Sequence, residues 1–347
     1  MAVTQLENFS GVATGISLAA VATPGALGLP GAYPSLVSGG GWGPYVEPFA
    51  LQVEKAGGKY WLGGGTGYVA TSPYNLYTLN LASLVAPATK VFTLGFRQKR
   101  KNSINTDQPI PIFRSPQGVY WNVTIPANTT EWYLELVFNR NDNTITCYKD
   151  GRLQFTNVIV DTTDKQNFQA NTWLIGLPVA SVSCLYITDI YVVEDTGDDT
   201  PNGRLGPQDL IDVPLQVSAN TGWDVTNLAD VLARKDFGTD NGKYLTGAND
   251  QSVLKLKPVD GFVLPSQSNV SAVLLQHRTL YKPGSPSDIN TKVMRGTHSD
   301  AVTTVLNSSL IPGDKGTRLV NNSHTSDETV PASALNGLEV SLTVVGR

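Results

Sequence analysis

Short runs of alternating apolar and polar residues, bounded by Gly, Pro, Asn and Asp, fill most of this chain. That period of two is the pattern of strands with one face buried, and many such runs at close spacing predict an all-β sandwich. Val91–Arg97 (VFTLGFR) puts Phe92, Leu94 and Phe96 on one face. Val119–Ile125 (VYWNVTI) turns Val119, Trp121, Val123 and Ile125 inward and leaves Asn122 and Thr124 outward. Trp132–Asn139 (WYLELVFN) buries Trp132, Leu134, Leu136 and Phe138. Thr144–Lys149, Asp150-Gly151 and Arg152–Thr156 then read as a hairpin. Asp-Gly suits its two-residue turn, because both central residues of a type I′ turn need positive φ. Asn139–Asn143 (NRNDN) has the chemistry of a second turn, so three consecutive strands form a meander. Trp173–Leu177 and Cys184–Val193 supply two further strands. Helical spacing is confined to Val225–Lys235, with apolar Val225, Leu228, Val231 and Leu232.

The clearest break is Asp195–Gly206 (DTGDDTPNGRLG), which reads as a linker. It divides a sandwich over residues 1–200 from a smaller β-rich domain over 201–347. Strands in the second domain fall at Val253–Leu256, Ala272–Leu275, Lys292–Arg295, Arg318–Val320 and Leu338–Val345. Residues 11–45 are rich in Gly, Ala, Pro and Ser and poor in charge. Two readings of that stretch stand open: an arm laid on a neighbouring subunit, or a lead-in packed on its own sheet edge.

Composition narrows the function. The chain has 347 residues, 41% of them hydrophobic, with 25 Lys+Arg against 29 Asp+Glu and a net charge of −4. A broad basic field for nucleic acid is therefore excluded. No apolar run reaches the length of a membrane-spanning helix, and no basic stretch precedes the apolar Gly15–Ala26, so no signal peptide and no membrane insertion are expected. Cys147 and Cys184 read as small buried thiols. The three histidines, His277, His298 and His324, lie far apart, and no metal or cofactor is expected. Asp195, Asp198 and Asp199 form an acidic cluster that is a weak Ca²⁺ candidate, but their spacing fits turn and amide-capping duty better. Gly63–Gly67 lacks the Gly-Lys-Ser/Thr ending of a phosphate loop and reads as a turn between strands.

No catalytic constellation emerges. Glu131 and Glu135 share the solvent face of their strand at a separation too wide for a glycosidase pair, and Asp189 stands among apolar neighbours. A non-enzymatic protein is expected. The aromatics Tyr45, Tyr60, Trp61, Tyr68, Tyr74 and Tyr77 crowd one stretch. Such rings stack on sugars, which makes Tyr45, Tyr60, Trp61, Tyr68 and Tyr77 a glycan-binding candidate; core or subunit packing is the competing reading.

One further pattern carries a resemblance. Trp132–Phe155 with its Tyr148-Lys149-Asp150-Gly151 hairpin is followed by Ile187-Thr188-Asp189-Ile190-Tyr191-Val192-Val193, then Thr196-Gly197, Asn202 and Leu205-Gly206. Over about 130–210 this resembles tailed-bacteriophage virion proteins with a concanavalin A-like, laminin G-like sandwich. In that family an I-D-D-x-Y strand ends the sandwich and a T-G…N…L-G linker leads on; Thr188 departs from the pattern at one Asp position. The resemblance implies a jelly-roll-like sandwich and a structural, tail-associated role as fibre, baseplate or collar component. It further implies assembly with copies of itself and other virion proteins, and a virion location. A host-glycan binder and a capsid decoration protein are the alternatives. The resemblance supplies no catalytic residues.

Overall fold

The computed structural model describes residues 2–7, 35–37, 51–64, 75–81, 85–115, 117, 120–179, 185–195, 204–233, 245–248, 251–263, 269–280, 287–295, 298–304, 317–331 and 339–346. The chain divides into two compact units, Met1–Leu210 and Ile211–Arg347. The first carries β1 (Ala2–Glu7), β2 (Ser35–Val37), β3 (Leu51–Ala56), β4 (Lys59–Gly64), β5 (Asn75–Asn80), β6 (Val91–Arg100) and β7 (Gln108–Arg114). It continues with β8 (Tyr120–Ile125), β9 (Glu131–Asn139), β10 (Thr144–Lys149), β11 (Arg152–Val158), helix α1 (Thr162–Gln169), β12 (Leu174–Val179) and β13 (Leu185–Asp195).

These strands make two antiparallel sheets. The larger runs β11-β10-β9-β6-β13-β4-β3, with β1 pairing the far part of β13; the smaller runs β2-β5-β12-β7-β8. Phe92, Leu94 and Phe96 of β6, Leu134, Leu136 and Phe138 of β9, and Ile187, Ile190 and Val192 of β13 meet Leu79, Ile110, Ile112, Val123, Ile125, Ile175 and Leu177 of the smaller sheet in one core. An aromatic centre runs through it: Phe92 stacks on Phe138 at 4.7 Å, and Trp173 meets Phe113 edge-on at 5.3 Å. The all-β sandwich expected from the alternation is what the chain forms.

Local chemistry explains the turns. Asp150 and Gly151 both have positive φ (49° and 79°), as their hairpin requires. The Asp150 carboxylate also accepts from the Tyr133 amide at 2.9 Å. Asn143 takes positive φ where the β9–β10 turn closes. Ser35–Val37, inside the Gly/Ala/Pro-rich stretch, pairs with β5 of its own unit.

Three sequence expectations need correction. α1 was not expected: its sequence TTDKQNFQ buries only Asp164 and Phe168, too few to show as periodicity. The helix expected over Val225–Lys235 is the six-residue α2 (Leu228–Ala233), with residues 234–235 outside the described set. The alternation in β9 predicts one buried face, but Trp132 through Phe138 are buried without a break, so both faces of this strand are covered.

The second unit holds β14 (Leu215–Thr221), β15 (Trp223–Asp224), α2, β16 (Thr246–Gly247), β17 (Val253–Pro258), β18 (Asn269–Leu280), β19 (Ser287–Arg295), β20 (His298–Thr304), β21 (Thr317–Pro331) and β22 (Glu339–Gly346). One sheet runs β14-β17-β22-β19-β20, and β18 and β21 form a separate long ribbon. Its described core gathers Trp223, Leu254, Leu256 and Val340.

Candidate functional site on the outer face of the large sheet

The site begins with a break in the alternation of β13. Leu185 and Ile187 face the core, and so do Ile190 and Val192. That parity holds only if one residue is extra. Thr188 pairs with Arg97 and Tyr191 with Gly95, so Asp189 and Ile190 together oppose Phe96. This is a β-bulge, and Asp189 adopts φ +50° within it. A short side chain such as Asp tolerates that region better than a β-branched one.

The bulge delivers the Asp189 carboxylate to cations on two neighbouring strands. Lys59 Nζ of β4 lies 2.6 Å from Oδ2, and Arg97 Nε of β6 lies 3.1 Å from the same oxygen. Arg97 also bonds Glu131 at 3.0 Å and Asp209 at 2.7 Å, and Lys59 bonds Asp209 at 2.7 Å. Burial pushes the Asp189 carboxyl above its ordinary value, partly offset by Lys59 and Arg97. Burial pushes Asp209 up too, but there the same two cations prevail and hold its carboxyl below the usual carboxylate value.

On β9, the strand beyond β6, stands Glu135, 1% exposed. Its Oε1 accepts from Tyr191 Oη at 2.6 Å and from the Gly206 amide at 2.9 Å. Its Oε2 accepts from Arg204 Nε and Nη2 at 3.1 and 2.9 Å. The Arg204 guanidinium stacks 3.5 Å from the centre of the Tyr148 ring, so the cation is held by a carboxylate and an aromatic face. Tyr191 reaches Glu135 because β6 offers Gly95 beneath it. A Cβ there would lie 2.1 Å from the Tyr191 ring. Burial raises the Tyr191 hydroxyl well above its usual value, reinforced by Tyr133 and Glu135.

The roof over these groups is the segment 204–210. Besides Arg204 and Gly206, the Leu205 amide donates to Tyr191 Oη at 3.3 Å, the Gln208 carbonyl accepts from Arg97 at 3.3 Å, and the Leu210 amide donates to Asp189 Oδ1 at 3.3 Å. Residues 204–206, expected to be free linker, are therefore bound to the sheet. Glu135, expected on a solvent face, is buried because this segment, distant in sequence, covers that face. The shifted apolar parity across Asp189 was a readable sign of the bulge, whereas nothing near Glu135 in sequence marks its burial.

The other sequence candidates fall as follows. Trp61 is 2% exposed; its indole donates to the Ala56 carbonyl at 3.2 Å and Lys99 Nζ covers its face at 4.4 Å. It offers no open platform to a sugar, contrary to its place in the glycan candidate. Tyr60 packs half-buried against the core with Lys55 Nζ 5.1 Å over its ring. Tyr45 and Tyr68 and the side chain of Tyr77 lie outside the described residues, as do Asp198, Asp199 and the side chain of Asp195. Gly63 and Gly64 belong to β4, where Gly63 makes room for the Tyr186 ring. Cys147 is buried, and burial pushes its thiol up to about 12. Among the described residues no group of His, Cys, Asp and Glu could hold a metal, and no helix is long and apolar enough to cross a membrane.

No family model matches this chain, and no curated protein does. Solved structures share distant likeness. A sialidase aligns at 12% identity over 42% of this chain and 16% of its own, with a TM-score of 0.27. The N-terminal CBM22-1-CBM22-2 tandem domain of Paenibacillus barcinonensis Xyn10C aligns at 11% over 99% and 89%, TM-score 0.27. The binding domain of botulinum neurotoxin DC, in complex with rat synaptotagmin II, aligns at 8% over 84% and 92%, TM-score 0.25. Likeness this low carries no function to this chain.

Proposed function

We propose that this chain is a non-enzymatic structural subunit of a tailed-bacteriophage particle, tail-associated, assembling with copies of itself and with other virion proteins. One observation carries the reading. Asp189, Tyr191, Leu205 and Gly206, which bear the resemblance to phage virion proteins, are the residues that clasp segment 204–210 to the sheet. The motif works as a fastener. Its two buried carboxylates are each engaged by cations and amides, which suits a fixed structural contact better than proton transfer to a substrate.

The terminal strand of the large sheet supports the assembly part. β11 ends that sheet among the described strands, and Leu153 and Val158 on it, with Val160 just beyond, are more than half exposed. Apolar side chains at a free sheet edge suit contact with another chain.

The test is binding of the purified chain to virions that lack it, together with its native mass in solution. The reading expects an oligomer that docks on the particle, and a smaller native mass for Leu153→Lys/Val158→Lys at unchanged melting temperature. A stable monomer at high concentration that leaves virions unlabelled contradicts it.

A further inference from the structure

Two buried arginines of the first unit form no ion pair among the described residues, and they are treated differently: Glu194 lies near enough to Arg140 to favour its charge. Arg140 Nη1 donates to the carbonyls of Ala86, Pro87 and Thr89, and its Nη2 donates to Asn171 Oδ1, which leaves only Nε unmatched. Arg100 is 2% exposed and donates from Nη2 alone, to the carbonyls of Ile104 at 3.5 Å and Pro126 at 3.3 Å. Its Nε and Nη1 have no acceptor. Gln98, two residues back on β6, is fully buried; its Oε1 is taken by Trp132 Nε1 at 2.9 Å, which fixes its orientation, and its Nε2 has no acceptor.

Residues i and i+2 of a strand point the same way, roughly 7 Å apart at Cα. The inward face of β6 runs through Phe92, Leu94 and Phe96, so Gln98 and Arg100 extend that row at the end of the sandwich. Arg100 Nη1 and Gln98 Nε2 on that row offer only hydrogens, whereas Arg100 Nε–H lies on the opposite edge of the planar guanidinium. A water molecule would accept from both and would bring two hydrogens of its own that need acceptors. An anion accepts from every side, brings no donor, and cancels the guanidinium charge where desolvation makes an uncompensated charge costly. The loop over this end is fastened down: the Asn128 amide donates to the Ile104 carbonyl and the Ala127 amide to Asp107 Oδ1, each at 2.8 Å.

We propose that Arg100 and Gln98 build an internal site for one small monovalent anion of the halide class, enclosed between the sheets beneath the 101–107 loop. The anion serves as a structural counter-ion, and the site is independent of the clasp on the outer face.

Bromide is the probe. Crystals of the full chain grown in sodium bromide should show an anomalous peak beside Arg100 Nη1 and Gln98 Nε2. In solution, bromide should raise the melting temperature by roughly 3 °C over gluconate at equal ionic strength, as expected for about tenfold saturation of one site. Arg100→Met should remove that difference. No anomalous peak at that position overturns the proposal, and so does an equal bromide effect in wild type and Arg100→Met. The wild-type crystals decide the matter even where the variant fails to fold.

Discussion

Glu135 shows what a single side chain does here. It accepts from Tyr191, Gly206 and Arg204 at 2.6–3.1 Å while 1% exposed. Truncating it strands buried donors and one guanidinium together. Glu135→Ala should therefore cost about 3–5 kcal/mol in chemical denaturation, whereas substitutions at exposed Glu131 should stay within about 0.5 kcal/mol. Asp189 makes a pH-dependent prediction. Its folded carboxyl lies above the unfolded value, so the folded state takes up a proton that the unfolded chain does not. That contribution is fully present below the ordinary carboxylate value and is lost as pH rises through the folded one. Asp209 is depressed, so its contribution is present above the ordinary value and is lost as pH falls through its folded one. Stability should rise as pH drops from neutral towards the ordinary carboxylate range, then fall below it. Asp189→Asn should abolish the rising limb and keep the bulge, since Asn also tolerates positive φ. Denaturation midpoints measured across pH 3–7 (about one point per half unit) check both limbs; a wild-type curve that only falls on acidification contradicts the assignment.

Between elements, the decisive geometry is glycine beneath aromatic. Gly95 on β6 admits the Tyr191 ring of β13, and Gly63 on β4 admits Tyr186. Gly95→Ala would place a methyl 2.1 Å from the Tyr191 ring, and the ring must move off Glu135. The expected loss is about 1–3 kcal/mol or more, larger than that of Tyr191→Phe, which keeps the ring in place. Equal losses for the two variants would show that the ring's position matters less than its hydroxyl. Element identity was largely legible: the runs around Phe92–Phe96 and Trp132–Phe138 announced their inward residues correctly, since one face of each packs on the opposing sheet. α1 was illegible because it is fixed by polar burial. Asp161 caps it by accepting from the Asp164 amide, and Asp164 accepts from Trp173 Nε1 at 3.0 Å and from Ser115 Oγ. None of these partners shows as apolar periodicity.

At the scale of the molecule, the clasp sets where the chain leaves the first unit: residues 204–210 are fastened to the large sheet, and the second unit begins at Ile211. The composition of Asp195–Gly206 reads as linker although residues 204–206 are bound to the sheet, because Gly, Asn, Asp and Pro mark loops whether or not a sheet lies beneath them. Trp61 illustrates the converse error. An aromatic in a Tyr-rich stretch invites a sugar platform, yet it is packed under Lys99, so Trp61→Ala should cost about 3–5 kcal/mol of folding stability, read by denaturation, as for other buried aromatics. The central claim, that the charged outer face is a fastener, is tested most directly by amide hydrogen exchange at Leu205, Gly206 and Leu210. The account predicts strong protection of all three in the wild type, with Gly206 and Leu205 losing it in Glu135→Ala while the amides of β6 stay protected. Rapid exchange at these three amides in the wild-type protein would contradict it.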